Sequence, residues 1–140
     1  MKILIAVDGS TFTKRMLAYL SAHDEFPGRG HEYTVLHTVS PVPPRAAAVL
    51  DKATLDTYYQ DEADKVFRPI RTFLDKQELN AKFVSKVGPA ADTIASFAEK
   101  GKFNLLVMGS HGHGSLTNLV MGSVATKVLA RCSTPVLLVR

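Results

Sequence analysis

Residues Leu105 to Val124 read LLVMGSHGHGSLTNLVMGSV, and the architecture of the chain follows from them. Four apolar residues, Leu105 to Met108, run without interruption into a glycine-rich loop, and a helix pattern begins at Gly122-Ser123. An unbroken apolar run of this length suits a strand covered on both faces, as in a parallel sheet. Glycines at 109, 112, 114 and 122 allow the backbone to approach a ligand closely. The helix beginning near Ser123 adds N–H groups that lack intrahelical partners, together with the positive end of its dipole. Strand, glycine loop and helix N-terminus form a cradle suited to phosphate. No Gly-Lys-Ser/Thr follows the glycines, so this is not a Walker A loop. Gly112-x-Gly114 is followed by Ser115, Leu116 and Thr117, so it is not the dinucleotide fingerprint either.

The flanking sequence alternates strands and helices. Lys2 to Val7 is a second continuous apolar strand, closed by the turn Asp8-Gly9-Ser10, with Ser10 placed as an N-cap. A helix follows to about Ala22, with Met16, Leu17 and Leu20 as its apolar stripe. Asp24 to Gly30 reads as a loop and His31 to Val39 as a strand. Ser40 to Pro44 holds three prolines, and irregular structure is expected to about Ala48. A long helix from about Asp51 to Glu78 carries Leu55, Tyr59, Ala63, Val66, Phe67, Ile70, Phe73 and Leu74 at helical spacing. Asp61–Lys65 and Asp64–Arg68 are expected i,i+4 pairs on its outer face, and Pro69 is expected to kink it near Lys65. Ala81 to Val87 alternates with lysines, as an edge strand does. Gly88-Pro89 opens a helix striped by Ala91, Ile94, Ala95 and Ala98 and ended by Gly101. After the strand Asn104 to Gly109 comes a helix from Ser123 to about Arg131, with Ala125, Val128, Leu129 and Cys132 on one face. Pro135 to Val139 closes the order as a fifth strand. Five strands separated by helices imply an α/β fold: one doubly wound parallel sheet with helices on both faces.

At 140 residues the chain makes one domain with a full core. No apolar run approaches the roughly 20 residues that span a bilayer, so no membrane is expected. MKILIAVDGS lacks the length of a signal peptide, and a cytoplasmic protein is expected. One cysteine, Cys132, permits no internal disulfide and fits a reducing compartment. The net charge of +4 is scattered, without a basic run or interleaved aromatics, which argues against nucleic acid.

In open α/β sheets, ligands bind beyond the carboxyl ends of the strands, where strand order reverses. The strands at Lys2–Val7 and Asn104–Gly109 are the most continuously apolar and belong at the centre. If they are neighbours, the order is 3-2-1-4-5, and the switch point falls between Asp8 and Gly109. The glycine loop then lies at the favoured crevice, opposite Asp8.

With these residues placed, the chain resembles the universal stress proteins over its whole length. ILIAVDGS resembles the family's first strand and aspartate. Gly109-x-x-Gly112, nine residues, then Gly122-Ser123 matches the spacing of its ATP-binding branch, and CSTPVLLVR is a typical ending. The resemblance implies ATP, possibly with Mg²⁺. In it Ala6, Asp8 and Val39 border the adenosine, and Met108 and Gly109 lie against the ribose. Gly112, Gly122 and Ser123 hold the phosphates through backbone N–H groups and the Ser123 hydroxyl, and Val124 lines the helix start. Ala6 stands where the family often has Pro. His111 and His113 stand where a loop Arg or Lys is common, which makes the loop charge depend on pH.

Competing roles exist for several residues. Asp8 is read as a ligand carboxylate over a turn cap, and Cys132 as an inert core thiol. Tyr58-Tyr59 is read as core packing, and Ser10 as a cap. His111 and His113 lack a clear third metal ligand. No Walker lysine, general base or arginine finger is evident, so a regulatory nucleotide-binding protein with at most slow hydrolysis is expected. The alternative is a phosphate- or adenylate-transferring enzyme of the same architecture. A flavodoxin-like carrier lacks aromatics between Gly109 and Val124, and a receiver domain lacks its acidic cluster. The apolar strand Val136–Val139 forms a sheet edge, which suggests a homodimer joined through it, as the resemblance also implies.

Overall fold

Ile3 to Val7 are all buried, and this strand sits at the middle of the sheet. The computed structural model describes residues 1–23, 30–114 and 120–140. Five strands, β1 (Lys2–Val7), β2 (Glu32–Val39), β3 (Ala81–Val87), β4 (Leu105–Gly109) and β5 (Val136–Val139), form one parallel sheet in the order β3-β2-β1-β4-β5. Five helices connect them: α1 (Thr11–Ala22), α2 (Pro44–Ala47), α3 (Lys52–Lys76), α4 (Ala90–Lys100) and α5 (Ser123–Arg131). The expected sheet order holds, with β1 and β4 adjacent, Ile3 opposite Leu105 and Ala6 opposite Met108.

The alternation of side chains along a strand sorts the core into two layers. Ile3, Ile5 and Val7 face α1 and α3, packing against Met16, Leu17, Leu20, Phe67, Ile70 and Leu74. Leu4, Ala6, Leu106 and Met108 face α4 and α5, packing against Ile94, Ala98, Ala125 and Val128. Sheet edges are β3, with its exposed lysines, and the short β5, whose first three residues are half-buried.

Several local expectations need correction. The proline-rich segment ends in a helical turn, α2, where irregular structure was expected to Ala48. Pro44 occupies its first turn, where φ is already suitable and no N–H is needed, and Arg45, Ala46 and Ala47 complete it. The turn buries nothing. α3 is capped by the Asp51 carboxylate, which accepts from the Thr54 amide at 2.7 Å, and it ends at Lys76 rather than Glu78. It runs through Pro69, which is exposed and cannot donate to the Lys65 carbonyl. Its charged residues find other partners than expected: Lys65 pairs with Glu62 at 2.9 Å, three residues away, and Asp64 accepts from the neutral Gln60 side chain. Both spacings lie on the same helical face, so sequence spacing alone does not choose between them. On α5, Ala125 and Val128 are buried, but Leu129, expected on the same face, is 43% exposed. Cys132 is half-buried at the C-cap. The expected loop Asp24 to Gly30 lies, but for Gly30, outside the described residues. Among the described residues no helix is long and apolar enough to cross a membrane.

Candidate functional site

The carboxyl ends of β1, β2 and β4 open into a cavity of about 510 Å³. Ala6, Asp8, Val39, Met108, Gly109, His111, Gly112, Gly122, Ser123 and Val124, the ten residues singled out in the sequence, all line it. Residues 115–119 of the glycine loop lie outside the described residues.

The turn after β1 fixes Asp8. Gly9 has φ +77°, a conformation that favours glycine. Asp8 Oδ1 accepts from the Ser10 amide at 2.9 Å and from the Thr13 hydroxyl at 2.9 Å, and the Asp8 amide donates to Thr13 Oγ1. Ser10 in turn caps α1, as expected. The carboxylate takes the turn-capping role through Oδ1, while Oδ2 lies against Gly112 at the cavity. A Cβ at Gly112 would stand 2.6 Å from that oxygen. Gly112 is required for space beside the carboxylate, not for its backbone angle, and the same holds at Gly109. There a Cβ would stand 2.7 Å from the Cβ of Phe12, so glycine at the end of β4 lets α1 pack closely.

Gly122 acts differently from the expectation. Its N–H donates to the Ser110 carbonyl at 2.7 Å, so it is not available to a phosphate. That bond ties the start of α5 to the residue after β4, whose own amide donates to Val139. Gly122 is the N-cap of α5, and among the described residues no side chain caps the helix. Thr126 is the first residue whose amide bonds back to Gly122. The amides of Ser123, Val124 and Ala125 therefore stand at a helix start beside the cavity without intrahelical partners.

Three histidines line the cavity, one of which the sequence reading passed over. His37 Nδ1 lies 2.8 Å from the Val7 carbonyl, and His113 Nε2 lies 2.7 Å from the Asp8 carbonyl. A carbonyl only accepts, so each of these nitrogens carries its proton. His111 Nδ1 is 2.8 Å from the buried Ser110 hydroxyl, and its ring packs on Phe12.

The first half of α3 forms a wall of the cavity that the sequence reading missed, through Tyr58, Glu62, Lys65 and Val66. Their spacing of four, three and one residues was the available signal, a polar stripe beside the apolar one. Tyr58 is exposed at the cavity, whereas Tyr59 packs on the core and accepts from the Val42 amide. The expectation that both pack in the core holds only for Tyr59. The Glu62 hydrogen bond and charge hold the Lys65 ammonium above its ordinary pKa.

Residues 1–140 match the model of the universal stress protein family along their whole length. The chain belongs to the universal stress protein family. A family protein of Thermus aquaticus is 33% identical over 138 residues, covering 99% of this chain and 97% of its own. Others are longer: Slr1230 of Synechocystis is 31% identical, and this chain spans 42% of its length. Among solved structures, hypothetical protein MJ0577 of Methanocaldococcus jannaschii superposes with a TM-score of 0.81 at 26% identity, covering 99% of this chain and 94% of its own. More distant family members share the fold. The Archaeoglobus fulgidus protein in complex with dAMP has a TM-score of 0.69 at 22% identity, covering 100% and 98% of the two chains. An Arabidopsis thaliana member with AMP bound scores 0.70 at 15% identity, covering 99% and 90%. A third such structure is a complex with cAMP.

Proposed function

We propose that this chain is one nucleotide-binding domain that holds ATP at the carboxyl ends of β1 and β4 and acts as a cytoplasmic regulatory, stress-response protein. The observation that carries this reading is the start of α5, without a side-chain cap among the described residues, at the wall of a 510 Å³ cavity. That volume falls within the few hundred to about a thousand Å³ usual for small-molecule sites. The amides of Ser123, Val124 and Ala125 and the Ser123 hydroxyl are suited to phosphate oxygens. Ala6, Asp8 and Val39 would border the adenosine, Met108 and Gly109 the ribose, and Gly112 would give the ligand room beside Asp8. His111 would stand beside the phosphates. Family members that hold AMP, dAMP or cAMP support an adenine nucleotide. Mg²⁺ would be carried in by phosphate oxygens and water, because the described residues offer no cluster of three metal-ligating side chains.

The cavity holds no Walker lysine, and the described residues supply no arginine to it, so hydrolysis is expected to be slow at most. The alternative reading, a phosphate- or adenylate-transferring enzyme, requires turnover with a defined second substrate. The free edge of β5, Val136–Val139, is proposed to pair with a second copy. Sedimentation at micromolar concentration should give a dimer mass, and a monomer would remove that part of the reading.

Isothermal titration of ATP and Mg²⁺ into the protein tests the site. Binding is expected for the parent and should be lost in Gly122→Val, whose backbone at φ −73°, ψ 167° suits valine while its side chain meets the phosphates. Absence of binding by the parent at pH 6 and 7.5 would overturn the proposal.

A further inference from the structure

Helix α3 brings a charged pair to the cavity that none of the assigned ligand roles uses. Among the described lining residues, Lys65 is the only side chain with a fixed positive charge, and its neighbour Glu62 is one of two carboxylates, Asp8 being the other. Val66 lies 3.5 Å, and His113 Nε2 4.0 Å, from where a Cβ on Gly9 would stand. This part of α3 is therefore packed against the turn after β1, which His113 of the glycine loop also approaches. Lys65 Nζ sits 2.9 Å from Glu62 Oε1, with 70% and 35% of the two side chains exposed. A pair so open to water contributes little to stability and exchanges partners readily.

Resting on the reading of the cavity as a nucleotide site, we propose that Lys65 and Glu62 set its preference for phosphate-chain length. Lys65 leaves Glu62 to pair with the terminal phosphate of a nucleoside triphosphate. Glu62 opposes this, both by holding the ammonium and by repelling the incoming charge. A compact ammonium on a flexible four-carbon stem suits a terminal phosphate, where reach matters more than a fixed fork geometry. A nucleoside monophosphate, its single phosphate engaged at the start of α5, does not need this partner.

The test is titration of adenosine, AMP and ATP into the parent, Lys65→Gln and Glu62→Gln at one fixed, low salt concentration. Lys65→Gln should weaken ATP binding about three- to tenfold and leave adenosine and AMP within about twofold. Glu62→Gln should do the opposite, strengthening ATP about two- to fivefold. Opposite signs from two neighbours on one helical face are not expected from loosened packing. Equal weakening of all three ligands by Lys65→Gln, or no change with ATP, would overturn the inference while leaving the nucleotide site in place. Weaker adenosine binding by Glu62→Gln would assign that carboxylate to the ribose and also overturn it. A parent that binds none of the three would remove the nucleotide reading itself, and this inference with it.

Discussion

The two ends of the sheet treat their polar groups in opposite ways. At the amino end the chain answers itself. The Lys2 amide donates to Asn104 Oδ1 and the Asn104 amide to the Lys2 carbonyl, each at 2.8 Å. Lys2 Nζ donates to the Gly101 carbonyl at 2.6 Å and lies over the Phe103 ring. The Glu32 amide donates to Met1, and the N-terminal ammonium to Gly30. At the carboxyl end α5 begins on a glycine, with no side-chain cap among the described residues, and its first amides border a cavity. Satisfied polar groups add to stability, whereas groups left facing a cavity are available to a ligand. The α-to-β connections at the amino end thus close on the fold, whereas the β-to-α connections at the carboxyl end border the cavity.

This contrast predicts that stability and binding separate along the strands. Gly122→Val should reduce ATP affinity by at least about a hundredfold with its thermal midpoint nearly unchanged. A large drop in midpoint instead would make Gly122 a structural glycine. Gly109→Ala cuts across the contrast, being at the carboxyl end but packed on Phe12. Overpacking there should cost about 1–3 kcal/mol in urea unfolding. An unaffected variant would mean that α1 shifts freely away from β4. Asn104→Ala removes an acceptor at the amino end and should cost about 0.5–1.5 kcal/mol while ATP affinity stays constant. A change in affinity would couple the two ends. The smallest effect belongs to Glu99, whose carboxylate is held below the usual glutamate range by the Ser133 hydroxyl and amide. A depressed carboxyl pKa stabilises above the unfolded value and loses that contribution as pH falls through the folded one. Glu99→Gln should therefore be slightly less stable than the parent at pH 7, with the gap closing below roughly pH 4. A gap that widens in acid would reverse the assigned sign.

The sheet order was legible because β1 and β4 carry unbroken apolar runs, which only central strands of a parallel sheet require. Once those two are adjacent, the position of Asp8 beside the glycine loop follows from topology. What the sequence concealed was long-range. The engagement of the Gly122 amide with Ser110 depends on how the loop returns to the sheet, and no pattern in the sequence encodes that return. Tyr58, Glu62 and Lys65 lie on a helix more than forty residues upstream of the loop, and their spacing reads equally well as a solvated face. His37 sits among β-branched and aromatic strand residues, where its place at the cavity depends on the end of β2. The helical turn α2 was masked by the prolines before it, although Pro44 is itself a permitted helix start.

Backbone amide chemical shifts, followed as ATP and Mg²⁺ are added, report directly on whether the carboxyl end is the ligand-binding end. The largest changes should fall at Asp8, Val39, Gly112, Ser123, Val124 and Ala125, with Lys2, Gly101 and Asn104 unmoved. Shifts confined to the amino end or to the β5 edge, or no shifts at saturating nucleotide, would contradict that assignment.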